Sequence, residues 1–240
     1  MNEINNFRIG IRDGIAIGIG YFTVSFAFGI TAVSMGISWL EALLISAFNM
    51  TSAGQLAAVP IIVGAGGFFE LALTQLVINL RYSLMSISLS QKLSPSVKLH
   101  DRFLMAFGNT DEIFAVSYSK GTPVGRRYFF ALMIPPYLGW TLGTLSGALA
   151  GGVLPAIVNA ALGVAIYAML IAIVVPAARM DHNVAFAVII AALLSVGFYF
   201  LPVLKEISSG FAIIIISVAV SLVFAILRPI PELKEDESDV

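Results

Sequence analysis

Four stretches of the chain, residues 14–35, 154–175, 184–201 and 208–227, each run for eighteen residues or more without a charge. As helix, such a run covers the roughly 30 Å of a bilayer's hydrocarbon core at about 1.5 Å per residue. In hydrocarbon every backbone N–H and C=O must find its partner inside the protein, so only helices and closed barrels cross. A barrel would show ten-residue strands of alternating hydrophobicity, and none are present. Only 11% of residues are charged, against about 25% in soluble domains. The fold class expected is all-α: a polytopic integral membrane helix bundle.

About seven spans are expected: 14–35, 38–63, 68–90, 128–150, 154–175, 184–201 and 208–227. Residues 1–228 read as a single transmembrane transport domain. Spans one and four share a four-residue glycine spacing, and each is followed by a turn and two more spans. That pattern suggests an inverted 3+3 repeat with halves 12–100 and 127–228. Residues 229–240 hold five acids against Lys234 and read as a solvated, disordered tail. Without them the chain has twelve basic and nine acidic residues, so the overall net charge of −1 understates the basic character of the body. The chain has no cysteine, which excludes disulfides and thiolate metal sites. Glu3 and Asp13 interrupt the start, so it reads as a first span rather than a signal peptide.

The second span is not an ordinary one. Between the apolar flanks 40–48 and 56–63 lies Asn49-Met-Thr-Ser-Ala-Gly-Gln55. Asn49, Thr51, Ser52 and Gln55 point around most of a helical circle at 100° per residue, so they do not form one polar face. Hydroxyls and amides can satisfy freed backbone groups, and Gly54 permits unusual φ/ψ. Each flank is about half a bilayer long. This reads as one broken or re-entrant segment at the membrane midplane, where secondary transporters build substrate sites. The competing reading is a continuous helix glued to its neighbours by small polar residues.

The third span, 68–90, carries an apolar face (Phe69, Leu73, Leu76, Leu80, Leu84, Ile87) and a polar stripe opposite (Gln75, Asn79, Tyr82, Ser86, Ser90). Arg81 marks a third face. An intramembrane arginine is costly, so it is either functional or paired with a carboxylate or helix carbonyls. Residues 91–127 turn basic, and within them a helix over 103–118 is expected to carry Thr110-Asp111-Glu112. Asp111 and Glu112 are the only adjacent carboxylates outside the tail. They are candidates for binding a substrate ammonium or a proton, or for pairing with Arg81. Glu41 and Glu70 sit near span starts and read as structural. Pro135-Pro136 should kink the fourth span. Gly139, Gly143 and Gly147 recur at four-residue intervals and form a helix-contact face.

Enzyme motifs are absent from the sequence. The two histidines, His100 and His182, form no metal-ligand pattern, and neither a serine-nucleophile elbow nor a phosphate-binding loop occurs. No enzyme activity, cofactor or nucleic-acid partner is expected. The bias of Lys and Arg places 91–127 and the C-terminus in the cytoplasm. It leaves the N-terminus outside if 38–63 spans, and inside if that segment re-enters.

Four stretches in order resemble the AzlC family, the large subunit of branched-chain amino-acid exporters first tied to azaleucine resistance. They are Ser46–Gln55, Asn79-Leu-Arg81, Thr110-Asp-Glu112 and Gly139-Trp-Thr-Leu-Gly-Thr144. Two positions depart: Tyr82 stands where the family usually has a histidine, and Leu56 where it often has an aromatic. The resemblance implies a permease of the cell inner (plasma) membrane exporting branched-chain or related amino acids, driven by the proton gradient. It also implies a small multi-span AzlD-like partner subunit. The substrate-binding residues expected are Asn49, Thr51, Ser52, Gly54, Gln55, Asn79 and Arg81, with Asp111 and Glu112 for coupling or the ammonium. The rival expectations are a structural or assembly subunit with no transport path, and a channel.

Overall fold

The computed structural model describes residues 3–151, 157, 164, 171, 174–176 and 178–228. The expected span at 154–175 lies largely outside the described residues, and the acidic tail wholly so. The chain divides into two compact units, Met1–Leu170 and Ile171–Val240. The described residues form helices joined by turns and two isolated bridges, as an all-α membrane bundle requires.

The first unit is organised by two long helices, α1 (Phe7–Ser34) and α7 (Arg126–Ala150). They pack in parallel through glycines. Gly10 lies against Tyr128 and Ala131, Gly18 against Pro135, Gly143 against Phe22 and Ser25, and Gly147 against Phe26. A Cβ at Gly139, Gly143 or Gly147 would overlap the α1 backbone. Lipid is as apolar as leucine, so helix contact in a bilayer gains little from burying bulk and more from close backbone approach. Pro135 and Pro136 lie inside α7, which runs through both. Pro135 fills the notch left by Gly14 and Gly18.

The long helix α4 (Phe68–Lys92) runs the other way. Its end is stitched to the starts of α1 and α7: Val124 N–H donates to Lys92 O at 2.8 Å, Ser94 N–H to Val124 O at 2.9 Å, and Gly125 N–H to Ile4 O at 2.8 Å. The N-terminal strap is pinned there too, where Ser94, ahead of Ser96 and Asn5, holds the Glu3 carboxyl below the usual carboxylate range. The chain start, residues 92–98 and residues 120–125 therefore share one end of the unit, the basic end. Away from its partners α4 exposes Phe69, Leu76, Leu80, Leu84 and Ile87, as its apolar stripe requires.

Between these long helices sit two hairpins, where one broken or re-entrant segment was expected. The first is α2 (Trp39–Phe48) and α3 (Ser52–Val63), each about half a bilayer long at about 1.5 Å per residue. Ser38 caps α2 in a reciprocal box with Glu41, a structural role for that acid. The chain reverses at Asn49-Met50-Thr51. Ser46 donates to Gln55 Oε1 across the two arms at 3.1 Å, and Ala42 shares a core cluster with Val59. Both pairs lie symmetrically about the turn, so α3 runs back beside α2. The segment 38–63 thus enters and leaves at the end opposite the basic one. It re-enters, one of the two arrangements that the sequence left open.

The second hairpin, α5 (Leu99–Phe107) and α6 (Asp111–Tyr118), replaces the single helix expected over 103–118. The chain turns at Gly108-Asn109-Thr110. This hairpin starts and ends at the basic end, where Lys120 Nζ meets Asp13 Oδ2 at 2.7 Å and Lys92 Nζ reaches Lys120 O at 3.4 Å. The two hairpins enter from opposite ends.

In the second unit α8 (His182–Phe200) and α9 (Ser209–Leu227) pack on each other. With α1 they are the described helices long and apolar enough to cross a membrane on length and composition alone. Helices α4 and α7 have the length, but spend part of their surface on polar residues turned to the hairpins and, in α7, on glycines turned to α1.

Candidate functional site

The hairpin tips meet at one cavity of about 210 Å³. From the first tip Phe48, Asn49, Met50 and Thr51 line it. From the second come Ala106, Phe107, Asn109 and Thr110, and α4 adds Asn79 and Tyr82. The lining carries no charge: it offers amides, hydroxyls, two phenyl rings and a thioether.

The backbone at the first tip is satisfied from inside the protein, as a helix break in hydrocarbon must be. The carbonyls ending α2 are taken by α7: Tyr137 Oη donates to Ala47 O at 3.3 Å and Trp140 Nε1 to Asn49 O at 3.1 Å. Asn49 Oδ1 accepts from Thr51 N–H, and Thr51 Oγ1 caps α3 by accepting from Gly54 N–H at 2.9 Å. Gln75 Nε2 donates to Gly54 O at 2.8 Å. That carbonyl can only accept, so the bond fixes the Gln75 amide. Its Oε1 then accepts from Asn79 Nδ2 at 3.2 Å.

The second tip hangs on α1 and α4. The Tyr21 hydroxyl lies between Thr110 Oγ1, at 2.7 Å, and the Glu112 carboxylate. Arg81 meets Asp111 Oδ2 at 2.9 Å and Tyr82 Oη at 3.1 Å, with its guanidinium carbon 4.9 Å from the Tyr82 ring centre. Asn109 Nδ2 donates to Ser86 Oγ at 3.1 Å. Trp140, which holds the first tip, packs on Tyr21, which holds the second, with ring centres 5.3 Å apart. The tips are therefore linked through one aromatic pair. The polar stripe of α4 faces this assembly throughout: Gln75 serves the first tip, Asn79 and Tyr82 the cavity, and Ser86 the second tip.

Of the residues expected to bind substrate, Asn49, Thr51 and Asn79 line the cavity. The others sit elsewhere. Ser52 is the first residue of α3, outside the lining. Gly54 is helical rather than unusual in φ/ψ, and its role is room: a Cβ there would lie 2.6 Å from Gln75 Oε1. Gln55 is fully buried in the hairpin seam against Ser46, which also bonds Thr144 of α7 at 2.7 Å. Arg81 pairs with Asp111 and Glu112 bonds Tyr21, so all three are engaged outside the cavity wall. The sequence reading missed Tyr21, Asn109 and Phe107 as site residues. Tyr21 and Phe107 are aromatics in apolar surroundings and carry no local signal. Asn109 did carry one, since Gly-Asn-Thr followed by two acids is a helix-start pattern. Among the described residues no cluster of His, Cys, Asp or Glu is arranged to hold a metal.

Two half-length hairpins entering from opposite ends, with their tips flanking an uncharged cavity beside continuous helices, define a class: a polytopic α-helical membrane protein. The chain belongs to the AzlC family, whose model, described as "AzlC protein", matches residues 16–154. That stretch contains both hairpins and the whole cavity. Among curated proteins the chain is similar to "Inner membrane protein YgaZ" of Escherichia coli (strain K12), 30% identical over 146 residues, which are 59% of this chain and 60% of the relative. It is also similar to "Uncharacterized membrane protein" of Archaeoglobus fulgidus, 32% identical over 141 residues, 59% of this chain and 61% of the relative. The chain thus matches about three fifths of the length of these relatives. No solved structure matches it.

Proposed function

We propose that this chain is the large subunit of a secondary carrier that exports branched-chain or related amino acids, driven by the proton gradient and working with a small membrane partner subunit. The observation that carries the reading is the uncharged cavity between two opposed hairpin tips. A zwitterion with an apolar side chain suits it. Helix α3 begins at the first tip with no acid in its first turn and directs the positive end of its dipole there, which favours a carboxylate. The buried Oδ1 atoms of Asn79 and Asn109 have no hydrogen-bond partner and are acceptors for an ammonium. Phe48, Met50 and Phe107 supply apolar surface.

In this reading the basic end faces the cytoplasm. With both hairpins re-entrant, Arg8, Arg12, Lys92, Lys98, Arg102, Lys120, Arg126 and Arg127 of the first unit all fall on that side. This is a stronger positive-inside bias than a crossing second span would give.

The test is efflux of labelled leucine from cells expressing the chain, with and without a candidate small subunit. Export above background that shows trans-stimulation is expected of a carrier. Efflux without trans-stimulation would indicate a channel, and none with either arrangement would leave a structural subunit.

A further inference from the structure

A second cavity, of about 100 Å³, lies between α4 and α5. Ala106 and Asn109 line both it and the tip cavity, so they form the partition between them. From the partition the second cavity extends toward the basic end, past Ser86 and Met105, to Ser90 and Arg102. Eight residues of α4 separate Tyr82 in the tip cavity from Ser90, about 12 Å at about 1.5 Å per residue.

Three features of this seam are unlike an ordinary helix contact. Ser86 and Ser90 place two hydroxyls in an otherwise apolar lining on α4, on the stripe that carries Asn79 and Tyr82. Asn109 is 2% exposed, yet it is held across the seam by one bond, Nδ2 to Ser86 Oγ, and its Oδ1 is buried without a partner. Such a side chain gives up little when it turns aside. Arg102 is exposed at the mouth and has no ion-pair partner among the described residues, whereas Arg126 is held by Asp101 at 3.1 Å and Lys120 by Asp13 at 2.7 Å.

We propose that an amino acid reaches the tip cavity from the basic end through the α4–α5 seam, with Arg102 holding its carboxylate at the mouth and Asn109 opening and closing the passage. This rests on the export reading above, for which the basic end is the loading side. Arg102 is exposed and free to swing, so it acts as a capture site that releases inward. Of the two residues of the partition, Asn109 is the one whose side chain can turn aside.

The chain has no cysteine, so single cysteines report cleanly. Ser90→Cys, Ser86→Cys and, on the apolar face of the same helix, Leu84→Cys are made in the full chain and labelled in inside-out membrane vesicles. The reagents are a small anionic thiol reagent and a neutral one of similar size. Ser90→Cys is expected to react well ahead of Leu84→Cys, and leucine should slow it. Arg102→Gln should cut the anionic reagent's rate at Ser90→Cys by roughly tenfold and leave the neutral reagent's rate unchanged. Asn109→Ala should bring Ser86→Cys into reach. If that variant inserts poorly, Asn109→Ser, which keeps a short polar side chain, should do the same. Ser90→Cys reacting no faster than Leu84→Cys, an absence of leucine protection, or an equal effect of Arg102→Gln on both reagents would each overturn the passage. Labelling needs no transport. A negative efflux assay beside the expected labelling would therefore sink export and spare the passage, and the converse would sink the passage alone.

Discussion

Asn49 and Gln55 bracket the same seven residues, and their surroundings separate them. Gln55 is buried between the hairpin arms and lies outside the cavity lining. Gln55→Ala removes one buried hydrogen bond, about 0.5–1.5 kcal/mol of stability. It should lower the yield of inserted protein and leave export per inserted molecule unchanged. Asn49 lines the cavity, and Asn49→Ala should act on transport. A hydrogen bond to a charged substrate group contributes about 1.5–3 kcal/mol, which corresponds to a roughly tenfold to hundredfold loss of affinity. Export normalised to membrane-inserted protein checks both, and equal behaviour of the two variants would remove the site from the first tip. Arg81 poses a different question. Its guanidinium meets Asp111 Oδ2 at 2.9 Å. Its value is geometric: the guanidinium bonds Asp111 and lies on the Tyr82 ring at once, which an ammonium cannot reproduce. Arg81→Lys should therefore keep the fold and lose most export. Full export in that variant would reduce Arg81 to a charge at the end of a flexible stem.

At the scale of elements, the contact between α1 and α7 depends on the absence of side chains. Gly143→Leu would push a side chain into the Phe22 carbonyl and Ser25 of α1. Overpacking costs about 1–3 kcal/mol where neighbours can shift, and here the neighbour is backbone. Gly20 lies on α1 with nothing within 4 Å of its would-be Cβ, so Gly20→Leu is the matched control. Loss of folded protein in Gly143→Leu and normal yield in Gly20→Leu are expected, read by detergent-solubilised yield and melting temperature. The glycine period of α7 was legible in the sequence because spacing alone identifies a face. The first hairpin tip was legible for the same kind of reason: amides and hydroxyls stand out inside an apolar run, where each costs free energy unless it is bonded. What local pattern did not settle was the return. Ser46 with Gln55 and Ala42 with Val59 are pairings across a turn, and the composition of a spanning and a re-entrant segment is the same. The second tip was harder still, because Gly108-Asn109-Thr110 runs directly into Asp111-Glu112 and the five residues read as one polar patch on a single helix over 103–118. The site was half legible: one tip and the α4 stripe could be read, but the residues opposite them are brought in by tertiary contact.

For the whole molecule the decisive quantity is which segments share an end. The sequence allowed two arrangements, because a crossing 38–63 puts the N-terminus opposite residues 91–127 and a re-entrant one puts them together. Backbone hydrogen bonds resolve this, since Ile4 N–H donates to Pro123 O at 2.9 Å and Gly125 N–H to Ile4 O at 2.8 Å. Chain start and basic segment therefore lie on the same side of any membrane that α1 and α7 cross. Single cysteines at Asn6, Lys98 and Arg126 should resist an impermeant reagent applied to intact cells and react once the membrane is opened. Cysteines at Leu40 and Gly66, at the two feet of the first hairpin, should both react from outside. The pair of feet is the sharper half of the experiment. A crossing segment would put Leu40 and Gly66 on opposite sides, so labelling of one and not the other would refute re-entry however the basic residues behaved. Labelling of Lys98→Cys in intact cells would instead invert the molecule, leaving the hairpins intact but turning the α4–α5 seam outward.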